Sequence, residues 1–296
     1  MEKLKNSRGL GLLVIFVVYA IAIAAGVLTF HFLVDTLKWW LSIMVADVAA
    51  TVVVFVFSLI FRNASVYDAY WSVQPIVIVV AYLFRVETVS PYLIALIVAV
   101  LLWGIRLTAN WAYTFTGFGY QDWRYVMLKE NTNKFYPVIN FLGIHLFPTM
   151  VVYFCIMPVV LLLEMEATMP AYSLAFTALA LLSAVWQGIA DCQMHKYRKN
   201  RTTPFLRTGV WKHSRHPNYL GEIMMWWGVG LACLVTTGMA LVLLGAVINT
   251  IMFLCVSIPM ADKRQSRKEG FAEYKKQTWA LLPFKKPQRK PKKSTA

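Results

Sequence analysis

The stretch KHSRHPNYLGE, residues 212–222, sets Asn218 and Glu222 four residues apart at the head of an apolar run, directly behind four cationic or imidazole side chains. Four-residue spacing puts an amide and a carboxylate on one helix face. Pro217 suits the first turn of that helix, where its missing N–H would lack a partner anyway. A helix start offers free backbone N–H groups and the positive end of the dipole, and so attracts phosphate; Arg215 and His216 stand beside it. Asn218 and Glu222 would then face something polar just inside a membrane, with Gly221 leaving room for close approach. An anionic outer part with a polar, uncharged inner part is the chemistry of a nucleotide cofactor. The loop leading here, residues 191–218, carries seven Lys/Arg, three His and one acid. Charge alone could serve to orient the chain, but orientation would not require Asn218 and Glu222 on one face.

Other polar groups interrupt apolar runs, where ionisable residues are costly and point to function. Asp47, Thr51 and Ser58 are spaced four and seven apart, and Arg106 and Asn110 four apart. Asp68 and Tyr70 sit at the entrance of another run. By depth, Asp68 and Arg106 share the inner level and could pair. Asp47 lies roughly 12 Å along its helix from the other side, at about 1.5 Å per residue, poorly placed to reach Arg106. Asp47 and Thr51 could equally glue helices together. Asp122 and Arg124 in GFGYQDWR fall on the inner side; its GxG lacks the third glycine and the surrounding strands of a dinucleotide fingerprint. His213 and His216, among five histidines in all, are too few for a membrane di-iron cluster. No metal site is expected. Neither do Ser or Cys residues sit beside a base, and the four cysteines read as small buried hydrophobes.

The elements that must position these groups are membrane helices. The chain has 296 residues, is 59% hydrophobic and has a mean hydropathy of +0.58. Apolar stretches cover about 10–34, 39–61, 70–85, 90–108, 137–163, 169–190, 218–236 and 239–260, each about long enough to cross a bilayer core. An all-α, polytopic bundle of 7–8 spans is expected, with the last two forming a tight hairpin at Gly238. The first stretch, behind Lys3, Lys5 and Arg8, is too long for an ordinary signal peptide and reads as a retained anchor. With eight spans and the N-terminus inside, 27 of 29 Lys/Arg lie inside; Lys38 and Arg85 alone lie outside. This asymmetry predicts both termini and the basic loops on the cytoplasmic face, of a bacterial inner membrane or the endoplasmic reticulum. The net charge of +15 is therefore topological, and no nucleic-acid partner is expected. Residues 1–296 form one unit: helices in 1–135 on the substrate side, helices and inner loops in 136–284 on the cofactor side. The basic tail, 285–296, is expected to touch anionic headgroups, each cation contributing about 1 kcal/mol.

RTGVWKHSRHPNYLGEIMMWWG resembles the C-terminal signature of the steroid 5-alpha-reductase superfamily, and NASVYDAYWS, WGIRLTANW and QDWRY resemble its poorly characterised membrane branch. The resemblance, from about Asp47 to Tyr274, implies a helical membrane reductase using NADPH, held among the C-terminal spans and inner loops. It implies that Asp191 and Arg198 hold the cofactor, with Gln187 where the motif often has Asn, and that Arg207, Asn218 and Glu222 do so as well. Lys263 and Arg267 fall where the steroid enzymes have His and Tyr; His213, Arg215, His216 and Tyr219 complete the cofactor set. Reducing a double bond conjugated to a carbonyl needs a hydride and a donor that polarises the oxygen. The steroid enzymes use a Glu and a Tyr from early helices; here Trp103 falls where that Tyr is expected. The candidate donors are Tyr70 and a protonated Asp68, a carboxyl that desolvation can keep neutral, with Arg106 holding charge. The expected substrate is a sterol-like or isoprenoid enone. Two alternatives stand beside it. Isoprenylcysteine and phospholipid methyltransferases, which use S-adenosylmethionine, share RHPxYxG, but PMADKRQSRKEGFAEY has Asp262 and no Glu–Glu pair. A lipid-binding protein that kept the fold without the chemistry is the other.

Overall fold

The computed structural model describes residues 6–284. The basic tail, 285–296, and the headgroup contact expected of it lie outside the described residues. Eight helical stretches are long and apolar enough to cross a membrane: α1 (Arg8–Leu33), α2 (Trp39–Phe61), α3 (Ala64–Leu83), α4 (Pro91–Thr114), α5 (Trp123–Glu164), α6 (Ala171–Lys199), α7 (Pro217–Thr237) and α8 (Ala240–Gln265). A short α9 (Phe271–Gln277) follows. Among the described residues extended backbone pairs only at one parallel bridge, Ser214 with Trp279. The protein is a multi-pass integral membrane protein. Helices suit that solvent because every backbone N–H and C=O must be satisfied within the span.

The helices outrun their apolar stretches. Asn63 starts α3 early by accepting from Ser65 N at 2.9 Å, and Asp122 starts α5 by accepting from Arg124 N at 2.9 Å. α6 continues to Lys199, past the apolar limit near 190. A hydropathy window stops at the first charges, whereas backbone hydrogen bonding carries on into water. The extension of α6 puts Asp191, His195 and Arg198 on one face, four and seven residues apart. α7 ends at Gly238 with φ 68°, a left-handed cap that glycine adopts without strain, and the α7–α8 hairpin follows as expected. α8 contains a π-helical stretch, Phe253–Ser257.

The interior centres on Trp103 and Trp226, both fully buried, with ring centroids 4.8 Å apart. α7 lies against α6 through small residues, as membrane helices do. A Cβ on Gly228 would stand 2.6 Å from Ala180 N and 2.8 Å from Phe176 O, backbone atoms that cannot rotate aside. Gly228→Val is therefore expected to lower stability by about 1–3 kcal/mol. A thermal melt of the detergent-solubilised variant matching the wild type would refute the close α6–α7 contact.

Candidate functional site

A cavity of about 330 Å³ opens where α4, α6, α7, α8 and α9 end together, within the size range of small-molecule sites. Six of the residues expected to hold a cofactor line it: Asp191, Arg198, Arg215, His216, Asn218 and Tyr219. α7 begins at Pro217, as its sequence requires, so Asn218 and Tyr219 form the first turn at the cavity wall. Asn110, Trp123, His195 and Arg264 line it as well. None of these four carried an assigned role in the sequence, although Asn110 lies four residues from Arg106. His195 Nε2 lies 2.7 Å from Asn110 Oδ1, tying α6 to α4.

Arg215 and His216 reach the cavity already partnered. Arg215 donates from Nε and Nη2 to Asp262 Oδ1 and Oδ2 at 3.2 and 3.0 Å, and from Nη1 to Thr278 O at 2.6 Å. His216 Nε2 stands 2.9 Å from Asp262 Oδ1, and Lys275 Nζ 3.2 Å from Oδ2. The backbone is laced in the same place: Arg215 N donates to Trp279 O and His216 N to Ala280 O, both at 3.0 Å. Tyr274 also donates its hydroxyl to Trp211 O. The two side chains expected to meet phosphate thus brace the wall. His216 stacks on Tyr219, rings 5.2 Å apart and 6° from parallel, which fixes an aromatic face on the cavity.

The cations left for an anion are others. Among the described residues Arg198 and Arg264 form no ion pair, and Arg264 lies over the Trp123 ring at 4.5 Å. Nearby, burial and then the charges of Arg201, Arg264 and Arg198 push the Lys268 ammonium pKa down. A cluster in which cations disfavour one another's charge fits a bound phosphate.

From the Asp191 wall a polar chain runs into the bundle. Arg106 Nη1 donates to Asp191 Oδ2 at 2.8 Å, and its Nη2 donates to Gln187 Oε1. Gln187 Nε2 donates to Glu222 Oε2 at 2.6 Å. Glu222 also accepts from Trp103 Nε1 at 2.8 Å and Trp226 Nε1 at 2.9 Å, with 1% of its surface exposed. Trp103 thus serves as an indole donor to Glu222. Arg106 Nε is buried with no partner.

Several expectations need correction. Arg106 pairs with Asp191 on α6 and not with Asp68; Asp68 instead accepts from Tyr125 of α5 at 2.7 Å. Depth had put both at one level, but depth says nothing about direction around the bundle. Gly221 does not admit a ligand: a Cβ there would meet Ser183 O at 2.8 Å and Gln187 Cβ at 2.9 Å, so it serves the α6–α7 contact. Tyr70 donates to Asp47 at 3.4 Å and faces another cavity. The structure does not bring Asp68, Tyr70 and Arg106 together. Arg207, Lys263 and Arg267 are exposed and His213 half-buried, and none lines the basic cavity. Asp47, Thr51 and Ser58 do share one buried face.

A family model described as "Protein of unknown function (DUF1295)" matches residues 54–278, a range that contains every residue lining the basic cavity. An uncharacterized protein of Schizosaccharomyces pombe is 26% identical over 56% of this chain and 56% of its own length, so the match spans about half of that relative. No solved structure matches.

Proposed function

Because this chain belongs to the DUF1295 family, whose description assigns no function, we propose its activity from the site it builds: a membrane-embedded, NADPH-dependent reductase of a carbon–carbon double bond in a sterol-like or isoprenoid lipid. The observation that carries this reading is the basic, aromatic-walled cavity at the start of α7, with its polar chain leading inward. The resemblance of RTGVWKHSRHPNYLGE to the steroid 5-alpha-reductase superfamily supports the choice of cofactor. When bound, NADPH supplies a hydride from its nicotinamide ring. Arg198 and Arg264 hold the phosphates, with Lys268 and Arg201 adding positive potential. Tyr219, fixed by His216, and Trp123 offer flat faces to rings. Asn218 presents its amide, and Arg106, held by Asp191 and Gln187, keeps an N–H for a carbonyl oxygen and a positive charge where negative charge develops. Of Asp68, Tyr70 and Arg106, Arg106 alone bonds to a residue that lines this cavity, Asp191. S-adenosylmethionine, a cation without phosphate, would leave the same arginines unmatched. The basic loops face the cytoplasm in this reading, where the cofactor is found.

The test is side-by-side titration of the purified protein with NADPH and S-adenosylmethionine, read as thermal protection. NADPH is expected to protect, and S-adenosylmethionine not. Arg198→Ala and Arg264→Ala should each weaken NADPH about tenfold, since a hydrogen bond to a charged group contributes about 1.5–3 kcal/mol and these sites are exposed. Protection by S-adenosylmethionine alone would overturn the proposal.

A further inference from the structure

Arg264 reaches the basic cavity with only an aromatic ring to steady it. Among the described residues it forms no hydrogen bond and no ion pair. Its guanidinium lies over the Trp123 indole, 4.5 Å from the ring centroid, inside the roughly 6 Å reach of a cation–π contact. Arg215, by contrast, is tied to Asp262 and to Thr278 O. Arg264 is exposed and Trp123 half-buried, and both line the cavity. They come from distant parts of the chain, Arg264 from the last turn of α8 and Trp123 from the first residue of α5.

The backbone that carries Trp123 is clamped to the head of α3. Asp122 accepts from Arg124 N at 2.9 Å, and its own N–H donates to Ser65 Oγ at 3.0 Å. Asn63 Nδ2 donates to Phe118 O at 3.0 Å and to Tyr120 O at 2.9 Å. Just beyond Trp123, the Tyr125 hydroxyl donates to Asp68 Oδ1 at 2.7 Å. Asn63 and Ser65 are both buried, so water does not compete for these bonds. A fixed indole therefore meets a long cationic side chain that has no other partner. A guanidinium carries its five N–H groups in its own plane. Stacking uses the face of that plane and leaves the edge donors for an anion. A free arginine must give up rotamer freedom when it binds; one already laid on a ring has given up part of it beforehand.

We propose that Trp123 is the positioning residue for Arg264: its indole holds the guanidinium flat at the cavity wall, with the edge donors available to the phosphates of the ligand. This rests on the reading of the basic cavity as a nucleotide site, of which it needs only the phosphates. Trp123 acts here through the arginine, and its effect disappears when the arginine is removed.

The experiment titrates the full chain in detergent with inorganic pyrophosphate, which has phosphates and no ring, and reads affinity as thermal protection. Trp123→Ala should weaken pyrophosphate about two- to fivefold, the equivalent of an exposed cation–π contact. Trp123→Leu, which keeps apolar bulk without a π face, should match it, whereas Trp123→Phe should recover most of the loss. In the Arg264→Ala background Trp123→Ala should bring no further loss, since the two residues act as one unit. Full binding by Trp123→Ala, equal binding by the Leu and Phe variants, or the same loss again in the Arg264→Ala background would each overturn the proposal. NADPH is titrated in parallel. Pyrophosphate binding without NADPH protection would count against the reductase reading alone. NADPH protection without pyrophosphate binding would overturn this proposal and leave that reading intact, and failure of both ligands would overturn both.

Discussion

Glu222→Leu is expected to destabilise the protein by about 3 kcal/mol or more. Glu222 accepts from Trp103, Gln187 and Trp226, three N–H groups gathered on one carboxylate in the fully buried centre of the bundle. Leucine would strand all three, and each buried donor left unsatisfied costs about 1–3 kcal/mol. The loss also spreads: Gln187 holds Arg106, and Arg106 holds Asp191 at the cavity wall. Glu222→Gln keeps an acceptor oxygen and the volume, so it should cost less while removing the negative charge. The two variants separate the hydrogen bonds from the charge. Denaturation in detergent should rank them wild type, Gln, Leu. A Leu variant as stable as the wild type would show that these three donors do not depend on Glu222.

Asp262→Ala should have an effect of similar size by a different route. Asp262, Arg215 and His216 are each below 10% exposed, and the arginine and imidazole share this one carboxylate. Removing one partner of a buried pair typically costs about 3–5 kcal/mol, because the other charge is left uncompensated. Lys275 is half exposed and simply turns to water. Arg215 keeps Thr278 O, so the cost should fall near the lower end. The local consequence is more telling than the total. With Asp262 gone, the 211–216 segment loses its side-chain tie to α8, and the bridge to residues 279–280 should open with it. Faster amide exchange at Arg215 and His216 and loss of NADPH protection are the expected readouts. Unchanged exchange at those two amides would show that the backbone bridge suffices without Asp262.

Much of this arrangement was legible before folding. Apolar runs about long enough to cross a bilayer core read as membrane spans, and the eight such runs became eight helices. Pro217 fixed the head of α7, and the four-residue spacing of Asn218 and Glu222 did put both on the side facing α6 and the cavity: Asn218 lines it, and Glu222 bonds Gln187 one turn deeper. Gly238 marked the hairpin because only glycine reaches φ 68° there without strain.

Other features had no one-dimensional signal. The π-helical stretch Phe253–Ser257 changes the phase of α8, so no constant period predicts that Arg264 faces the cavity while Lys263 and Arg267 point away. Arg215 and His216 read as free cations because Asp262, some 46 residues on, becomes their neighbour only when α8 returns beside α7. Hydropathy and helical pitch act along one chain, so the sequence alone was enough to mark which segments are long and apolar enough to span and which polar groups share a helix face. The tertiary structure alone decided which carboxylate meets which cation and which donor is left unpaired, because partners are set by the rotation of each helix against its neighbours, and packing, not local sequence, fixes that rotation.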